Sequence, residues 1–505
     1  MQNLFNNLIL KDGIIIELNF KQILKKLIFK LLESNIKGDV LNKEYQKKFY
    51  SVDSSSYQII PKIIIIPKNE EDVIKTIKIA KKYKISVTVR GAGTGLVGSA
   101  LNDGIIMDMR ELNTIKLNKK SVVVGSGTLK GKLDQILQKN KKFFPPNPSI
   151  GNFCSIGGML GNNSSGSRSI KYGSTIDNIK QITFIDGNGK KITLPKNKKV
   201  SKKIFQNIKI DDDKIPKTSK NSSGYQIKKI TSEKNSHKII IGSEGTLGII
   251  ISAKLNILDI PKKRILYIIE YKSIFEAAKN SQLIAKTAPS TLEFVDKNTL
   301  KHIKCNFDKS TQCLLFVEYD ENIKNTQKEL KLIISGKIIQ KLSTNSDMKT
   351  WWKHRDASLH YSLKSIKKEL RIPHIIEDAA VPLHKISKLF SVLKSIERKY
   401  KVKTIIYGHI GNGNIHVRLI SKKTNTKLIK NIAIEYFNEV IKNNGTISAE
   451  HGDGLARSEF IKKQYGEINY QTFKKIKQIL DPNFILNPGK IITKKSTVVK
   501  NLKKY

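Results

Sequence analysis

Three glycine-rich segments constrain this chain more than any other feature. The first, Arg90-Gly91-Ala92-Gly93-Thr94-Gly95-Leu96-Val97-Gly98, follows the strand-like run 85–89. The second fills residues 145–173, PPNPSIGNFCSIGGMLGNNSSGSRSIKYG. The third, IGSEGTLGII at 241–250, reads as strand, loop, strand. Glycine backbone loses more freedom on folding than any other, so this much of it is costly to order unless something binds there. Glycines also let successive N–H groups converge on an anion, and Arg90 adds a charged donor. A tight turn would explain one such loop. Three in one region predict a long polar cofactor that carries phosphate. A Rossmann loop would need a helix straight after the glycines and an acid about 20 residues on. Here 99–104 is turn-like and 105–109 reads as a strand, which argues against that fold.

A chain of 505 residues exceeds what one core supports, so two or more domains are expected. Residues 63–66, 85–89, 105–109 and 121–124 read as strands. Asn69-Glu70-Glu71-Asp72 opens a helix, with acids in its first turn. After Pro261 the runs 266–271 and 314–318 alternate with Lys-rich helical stretches at 275–286 and 324–334, the pattern of an antiparallel α+β domain. The expected division is an N-terminal helical segment 1–49, a cofactor domain 50–262, a second domain 263–480, and a segment 481–505 that returns to the first domain.

The charge is extreme: 92 Lys+Arg against 43 Asp+Glu, a net +49. Such an excess would normally address nucleic acid or an anionic surface. Only nine of the basic residues are Arg, and Ile and Asn are abundant beside Lys, as in IIPKIIIIPKN at 59–69. That combination reads as coding bias, and no nucleic-acid role is expected. The cysteines, Cys154, Cys305 and Cys313, are too few for a disulfide framework or an iron–sulfur cluster. No apolar run approaches the roughly 20 residues of a membrane span, and the N-terminus lacks the pattern of a secretory signal. ILKKLIFKLL at 23–32 reads as an amphipathic surface helix, with a membrane-surface anchor as the alternative.

Two further motifs carry histidine. In Tyr407-Gly408-His409-Ile410-Gly411-Asn412-Gly413-Asn414-Ile415-His416-Val417-Arg418 an Asn-Gly pair between strand-like runs predicts a hairpin that brings His409 and His416 together. Facing Cβ atoms would stand roughly 5 Å apart, which suits two imidazoles on one metal ion. In Ser448-Ala449-Glu450-His451-Gly452-Asp453-Gly454 adjacent side chains of extended backbone point opposite ways, so Glu450 can face the ion while His451 faces a substrate. Two His and a carboxylate leave one position open, as at a catalytic zinc; Fe or Mn fits the same ligand types. The residues alone also fit hydrogen-bonded histidines without metal.

RGAGTGLVG, CSIGGMLGNNSSGSRSIKYG, KNSSGY at 220–225 and IGSEGTLGII together resemble the FAD-binding (PCMH-type) domain of the vanillyl-alcohol-oxidase-like superfamily. The chain is similar to the branch that holds D-lactate dehydrogenases, the glycolate oxidase flavoprotein subunit and D-2-hydroxyglutarate dehydrogenases, over about residues 50–490. The resemblance implies an α+β protein: a two-subdomain, non-Rossmann FAD-binding domain and an antiparallel α+β cap. By it, Arg90, Gly91, Ala92, Gly93, Thr94 and Gly95 hold the pyrophosphate, and Gly157, Gly158, Asn163, Gly166, Glu244, Gly245 and Ile250 line the rest of the FAD. The first loop has neither His nor Cys, so the flavin is expected to be non-covalent. The resemblance also implies that His409, His416 and Glu450 bind the metal (zinc, or Fe or Mn) and that His451 is the base. One departure is Asn412, where that pattern usually has Asp.

Arg355, in WWKHR, resembles the carboxylate-binding Arg of these enzymes, and Arg418 could grip a second carboxylate; Arg168 and Arg457 lie in motif segments without an assigned role. The expected reaction is oxidation of an anionic D-2-hydroxy acid (D-lactate, D-2-hydroxyglutarate or glycolate) to the 2-oxo acid by hydride transfer to flavin. Glu377-Asp378-Ala379-Ala380-Val381-Pro382 resembles a branch that often carries a fused iron–sulfur module, for which this chain lacks the cysteines. The acceptor would then be a quinone, a cytochrome, an electron-transfer flavoprotein or a separate iron–sulfur subunit. The alternative is a redox-neutral flavoenzyme resembling alkylglycerone-phosphate synthase. The expected compartment is the cytoplasm, with a peripheral contact at the inner membrane and a homodimer left open.

Overall fold

The computed structural model describes residues 13–300, 303, 305–321, 323–357, 373–421 and 425–503, with side chains from residue 23 on except at 325 and 327; residues 1–12 of the expected N-terminal segment lie outside it. Three sheets organise the chain. In the first, β1 (Asp39–Leu41), β2 (Ile63–Ile66), β3 (Val87–Arg90) and β4 (Ile105–Asp108) take the order β1-β2-β4-β3, with β2 and β3 both parallel to β4. The helix Glu70–Lys82 joins β2 to β3. Asn69 caps it by accepting from the Asp72 N–H (3.0 Å), and its Val73, Ile77 and Ala80 are buried. The helix Gly13–Asn35 lays Ile28 and Leu32 into the same core but leaves Ile23 and Leu27 exposed. No helix separates β3 from β4; the Arg90–Gly98 glycines fill that gap, so the parallel pair is not a Rossmann unit.

The second sheet is antiparallel. Its strands β5 (Ile115–Asn118), β6 (Ser121–Gly125), β8 (Ile179–Ile185), β9 (Lys191–Leu194) and β10 (Ile249–Asn256) take the order β5-β6-β10-β8-β9. A two-residue ladder, β7 (Lys142–Phe143) with β11 (Leu258–Asp259), lies beside it. The third sheet, also antiparallel, orders β12 (Ile265–Tyr271), β13 (Thr291–Asp296), β14 (Cys313–Tyr319), β15 (Lys337–Leu342), β16 (Lys403–Gly408) and β17 (His416–Ile420) as β15-β12-β14-β13-β16-β17. Helices Ile274–Ala285, Ile386–Tyr400 and Thr426–Lys442 contribute Ala277, Leu389, Phe390, Ile432 and Phe437 to the core on one of its faces. The α+β class is as expected.

Three local features differ from the sequence reading. The stretch before the third glycine loop is a 3₁₀ helix, Glu233–Ile240, and not a strand. The second glycine-rich segment contains the helix Ile156–Asn162, started by Ser155, whose Oγ accepts from the Gly158 N–H (3.1 Å). Gly157 is required there, because a Cβ would stand 2.7 Å from the Ser126 carbonyl oxygen. The chain also returns to the first domain before the expected boundary at 480. The helix Ile461–Leu480 buries Ile461, Tyr465, Phe473 and Ile476 in the core of the second sheet. Beyond it, the Asn487 N–H donates to the Val87 carbonyl (2.8 Å), and its side chain donates to the carbonyls of Glu244 (2.7 Å) and Ser99 (2.9 Å). The segment after the helix thus ties down two of the three glycine loops.

Phe473 lies fully buried between the rings of Tyr225 (5.2 Å) and Tyr465 (5.0 Å). Phe473→Ala is expected to cost about 3–5 kcal/mol of unfolding free energy in urea titration. A loss within about 0.5 kcal/mol, the range of a surface change, would contradict the placement of this helix in the first core.

Candidate active site

One cleft, of about 320 Å3, collects the glycine loops and the histidine motifs. Arg90, Gly91, Ala92, Gly93, Thr94 and Gly95 line it, as do Gly157, Gly158, Gly166, Glu244, Gly245 and Ile250. The chain therefore brings twelve of the thirteen expected flavin-contact residues to one wall. Asn163 is the exception: it is 1% exposed and faces inward, accepting from the Ile176 N–H (2.9 Å) and donating to the Asn221 carbonyl (3.3 Å). Arg90 lies beneath its own loop, donating to the Val52 carbonyl (2.8 Å) with its guanidinium over the Tyr50 ring. Cys154 also lines the cleft, and burial pushes its thiol up to about 11, so near neutrality it is protonated and a poor nucleophile.

The opposite wall carries Arg355, Tyr407, His409, His416, Arg418, Glu450 and His451. The hairpin forms with β16 and β17 joined by the 3₁₀ turn Ile410–Asn412, and Tyr407 pairs with His416. His409 lies on the same face as Tyr407, which sets the His409 and His416 rings 5.1 Å apart; the His451 ring stacks on His416 at 5.1 Å and 13°. All three imidazoles aim Nε2 at one atom. Glu450 Oε1 lies 3.0 Å from His409, 3.3 Å from His416 and 3.6 Å from His451.

His409, His451 and Glu450 are held from behind, whereas His416 Nδ1 has no hydrogen-bond partner among the described residues. Glu293 binds His409 Nδ1 (2.6 Å), and Glu377 binds His451 Nδ1. Asp378 Oδ2 accepts from the N–H groups of Ala449 (3.1 Å), Glu450 (3.0 Å) and His451 (2.8 Å), fixing the 448–451 turn. Glu450 Oε2 accepts from Ser165 Oγ (2.6 Å), the Gly166 N–H (3.1 Å) and Lys220 Nζ (2.9 Å). Burial works against the Glu450 carboxylate, but Lys220 and His409 hold it well below the usual carboxylate range. Burial lowers the His416 imidazole, which favours its neutral, ligating form. Burial would also lower His451, but Glu377 and Asp378 outweigh it and hold that group up to about 9.

Of the buried acids, Glu293, Glu377 and Asp378 escaped the sequence reading as site residues. Glu293 had one available signal: an acid in a strand whose six residues are all buried. Asn412 is explained by its contacts. Its Oδ1 accepts from Ser169 Oγ (2.8 Å) and its Nδ2 donates to Ser219 Oγ (2.9 Å), a donor that Asp lacks. Arg457, fully buried, donates to the Gly452 carbonyl (2.8 Å) and so braces the 450–454 turn; Arg168 reaches Glu318 (3.4 Å), away from the cleft lining.

The two arginines of the cleft differ. Arg355 spends Nε (2.6 Å) and one Nη on Glu293. Arg418, 3% exposed, has an ion pair with Glu377 at 3.4 Å and the Tyr407 hydroxyl beside it, but no hydrogen bond of good geometry reaches its Nε or either Nη among the described residues. Leaving a buried guanidinium so poorly paired is costly, and an anionic ligand would satisfy it.

The sequence matches two family profiles, "FAD binding domain" over residues 61–195 and "FAD linked oxidases, C-terminal domain" over 260–491. The chain belongs to the FAD-linked oxidases. Among curated members of this family it is 26% identical to glycolate oxidase subunit GlcD of Bacillus subtilis, covering 88% of this chain and 92% of that one. It is 26% identical to D-lactate dehydrogenase of Anaerostipes hadrus, covering 95% and 99%. It is 28% identical to D-2-hydroxyglutarate dehydrogenase of Haemophilus influenzae, covering 91% of this chain but only half of that longer protein. A solved structure of alkyldihydroxyacetonephosphate synthase superposes with a TM-score of 0.67 at 17% identity, covering 92% of this chain and 86% of that one, a likeness of fold. No helix among the described residues is long and apolar enough to cross a membrane.

Glu244 joins the two walls: its carboxylate accepts from the N–H groups of Asp453 and Gly454 (2.9 Å). Burial and the neighbouring Asp453 push it up to about 8, from 4.5 when exposed. Between those values the folded chain keeps a proton that the unfolded chain has lost, so stability falls as pH rises. Glu244→Gln is expected to flatten that fall in urea unfolding measured from about pH 5 to about pH 8. An unchanged slope would mean that Glu244 is ionised in the folded protein.

Proposed function

We propose that this FAD-linked oxidase oxidises a small D-2-hydroxy acid to the 2-oxo acid and passes the electrons to an acceptor other than NAD. The observation that carries the reading is Arg418: a buried guanidinium with unmet donors, beside three imidazoles that converge on one carboxylate oxygen, all on a cleft walled by glycine loops. The relatives named for glycolate, D-lactate and D-2-hydroxyglutarate supply the substrate class.

The residues fit both cofactors. Ligand atoms that share a tetrahedral ion with bonds near 2.1 Å stand roughly 3.4 Å apart, and the His409–Glu450 and His416–Glu450 separations are 3.0 and 3.3 Å. Among the described residues, the grouping whose ligand atoms all lie within 4.8 Å of one another is Asp378 with His416, Glu450 and His451, without His409. Asp378 is the weaker candidate, because its Oδ2 already serves three backbone N–H groups and Ser448. His409, His416 and Glu450 would therefore hold the metal, with zinc the preferred ion, and the glycine wall would hold a non-covalent FAD. When bound, FAD supplies the two-electron acceptor for the substrate's C2, and a divalent cation supplies Lewis-acid polarisation of its hydroxyl.

The protein's own part follows from the geometry. Arg418 grips the substrate carboxylate with its unspent donors. Arg355, held in place by Glu293, presents positive charge from the same wall and lies over the Tyr407 ring at 5.8 Å. His451 acts in its neutral form, reached as pH rises toward about 9 because Glu377 and Asp378 favour its proton; it then takes the hydroxyl proton at Nε2, and Glu377 at Nδ1 stabilises the imidazolium that results. A second functional arginine suits a substrate with two carboxylates as well as one.

Anaerobic addition of D-lactate, D-2-hydroxyglutarate and glycolate to the purified flavoprotein is expected to bleach the flavin band with at least one of them. No bleaching with any would remove the substrate class. Glu293→Gln removes a charge behind His409 and is expected to weaken zinc retention by about 10–100-fold in chelator competition, the usual cost of losing such a partner. Unchanged retention would exclude His409 as a ligand.

A further inference from the structure

Glu450 receives hydrogen bonds on one oxygen only from residues outside its own wall. Ser165 and Gly166 belong to the second glycine-rich segment, and Lys220 to the KNSSGY segment. Ser165 and Lys220 are each 1% exposed, so these bonds are sheltered from water. The loop has little freedom to supply them in another way. Gly166 has φ of +111°, and a Cβ there would stand 2.0 Å from the Asn147 carbonyl oxygen, so its N–H is delivered by a backbone that only glycine adopts. Asn147 N–H in turn donates to the Ser165 carbonyl (2.7 Å). Asn147, Pro148, Ser164, Ser165, Gly166 and Ser167 all line the cleft. One loop therefore has two faces, one toward the flavin wall and one toward Glu450.

The KNSSGY segment joins the same connection. Ser222 Oγ donates to the Ala449 carbonyl (3.0 Å) and to the Asn163 carbonyl (3.3 Å), and Lys220 Nζ also donates to Asn414 Oδ1 (2.9 Å) in the histidine hairpin. With Oε2 committed in this way, the carboxylate can turn only Oε1 to the imidazoles.

We propose that the flavin and metal sites are thermodynamically linked through Ser165, Gly166 and Lys220 on Glu450 Oε2. This rests on the cofactor assignment made under Proposed function. Flavin against the cleft face of the loop holds Ser165 and Gly166 in the position that orients Glu450. A metal ion on Oε1 fixes Glu450 and with it the loop. By reciprocity each ligand must tighten the other by the same factor.

The test uses the full-length flavoprotein, zinc-replete or stripped by chelator, with FAD release followed by the fluorescence of free flavin on dilution. Stripping zinc is expected to weaken FAD binding by about tenfold, within the usual range of coupling between two sites. In Ser165→Ala and Lys220→Gln the factor is expected to shrink toward one; either variant suffices if the other does not fold. A wild-type protein that holds stoichiometric zinc yet shows equal FAD affinity with and without it would overturn the linkage while leaving the metal assignment standing. Linkage that persists undiminished in both variants would overturn the route through Glu450. A flavoprotein that binds no zinc, iron or manganese at all would remove the metal assignment and the linkage with it.

Discussion

The site depends on how one carboxylate is shared. Glu450 gives Oε2 to Ser165, Gly166 and Lys220, and turns Oε1 toward three imidazoles. A buried carboxylate is tolerable only when its charge is met. Lys220 meets it from one direction, and His409 or a cation from the other. The remaining buried charges follow from this: Glu293 and Glu377 hold the outer nitrogens of His409 and His451, Asp378 fixes the turn that carries Glu450, and Arg457 braces that turn from below.

The sheets explain why these groups can meet. The hairpin of β16 and β17 places two imidazoles on one face, while β13 beside it presents Glu293. Antiparallel neighbours of this kind bring alternate side chains within contact distance. On the other wall, the first glycine loop joins the parallel strands β3 and β4 and the third leads into the central strand β10, and both loops are anchored by Asn487. The glycine wall is thus built by residues nearly 400 positions apart in the chain.

Much of this was legible locally. The strands at Ile63–Ile66 and Ile105–Asp108 and the capped helix Glu70–Lys82 have strong short-range signals, and the glycine loops and histidine motifs are contiguous in sequence. What the sequence left hidden is mostly long-range. Nothing near Glu293 links it to His409, 116 positions away. Lys220 was visible only as part of a motif, and its contact with Glu450 spans 230 positions. The return of the chain at Ile461 was misplaced because its amphipathic pattern does not say which core it enters. The third glycine loop was read with a strand on both sides because KIII-type apolar runs fit strand and 3₁₀ helix alike. Four of the nine arginines (Arg90, Arg355, Arg418 and Arg457) lie in the cleft or brace it.

The central claim is that Glu450 Oε1 and the imidazoles of His409 and His416 form a metal site facing a flavin. Its most direct test is a crystal structure of the zinc-replete flavoprotein with anomalous data collected on both sides of the zinc absorption edge. The account predicts one strong anomalous peak bonded to His409, His416 and Glu450, with flavin density along the glycine wall. Flavin density with no anomalous peak at the histidines, and His409 still hydrogen-bonded to Glu450, would contradict it.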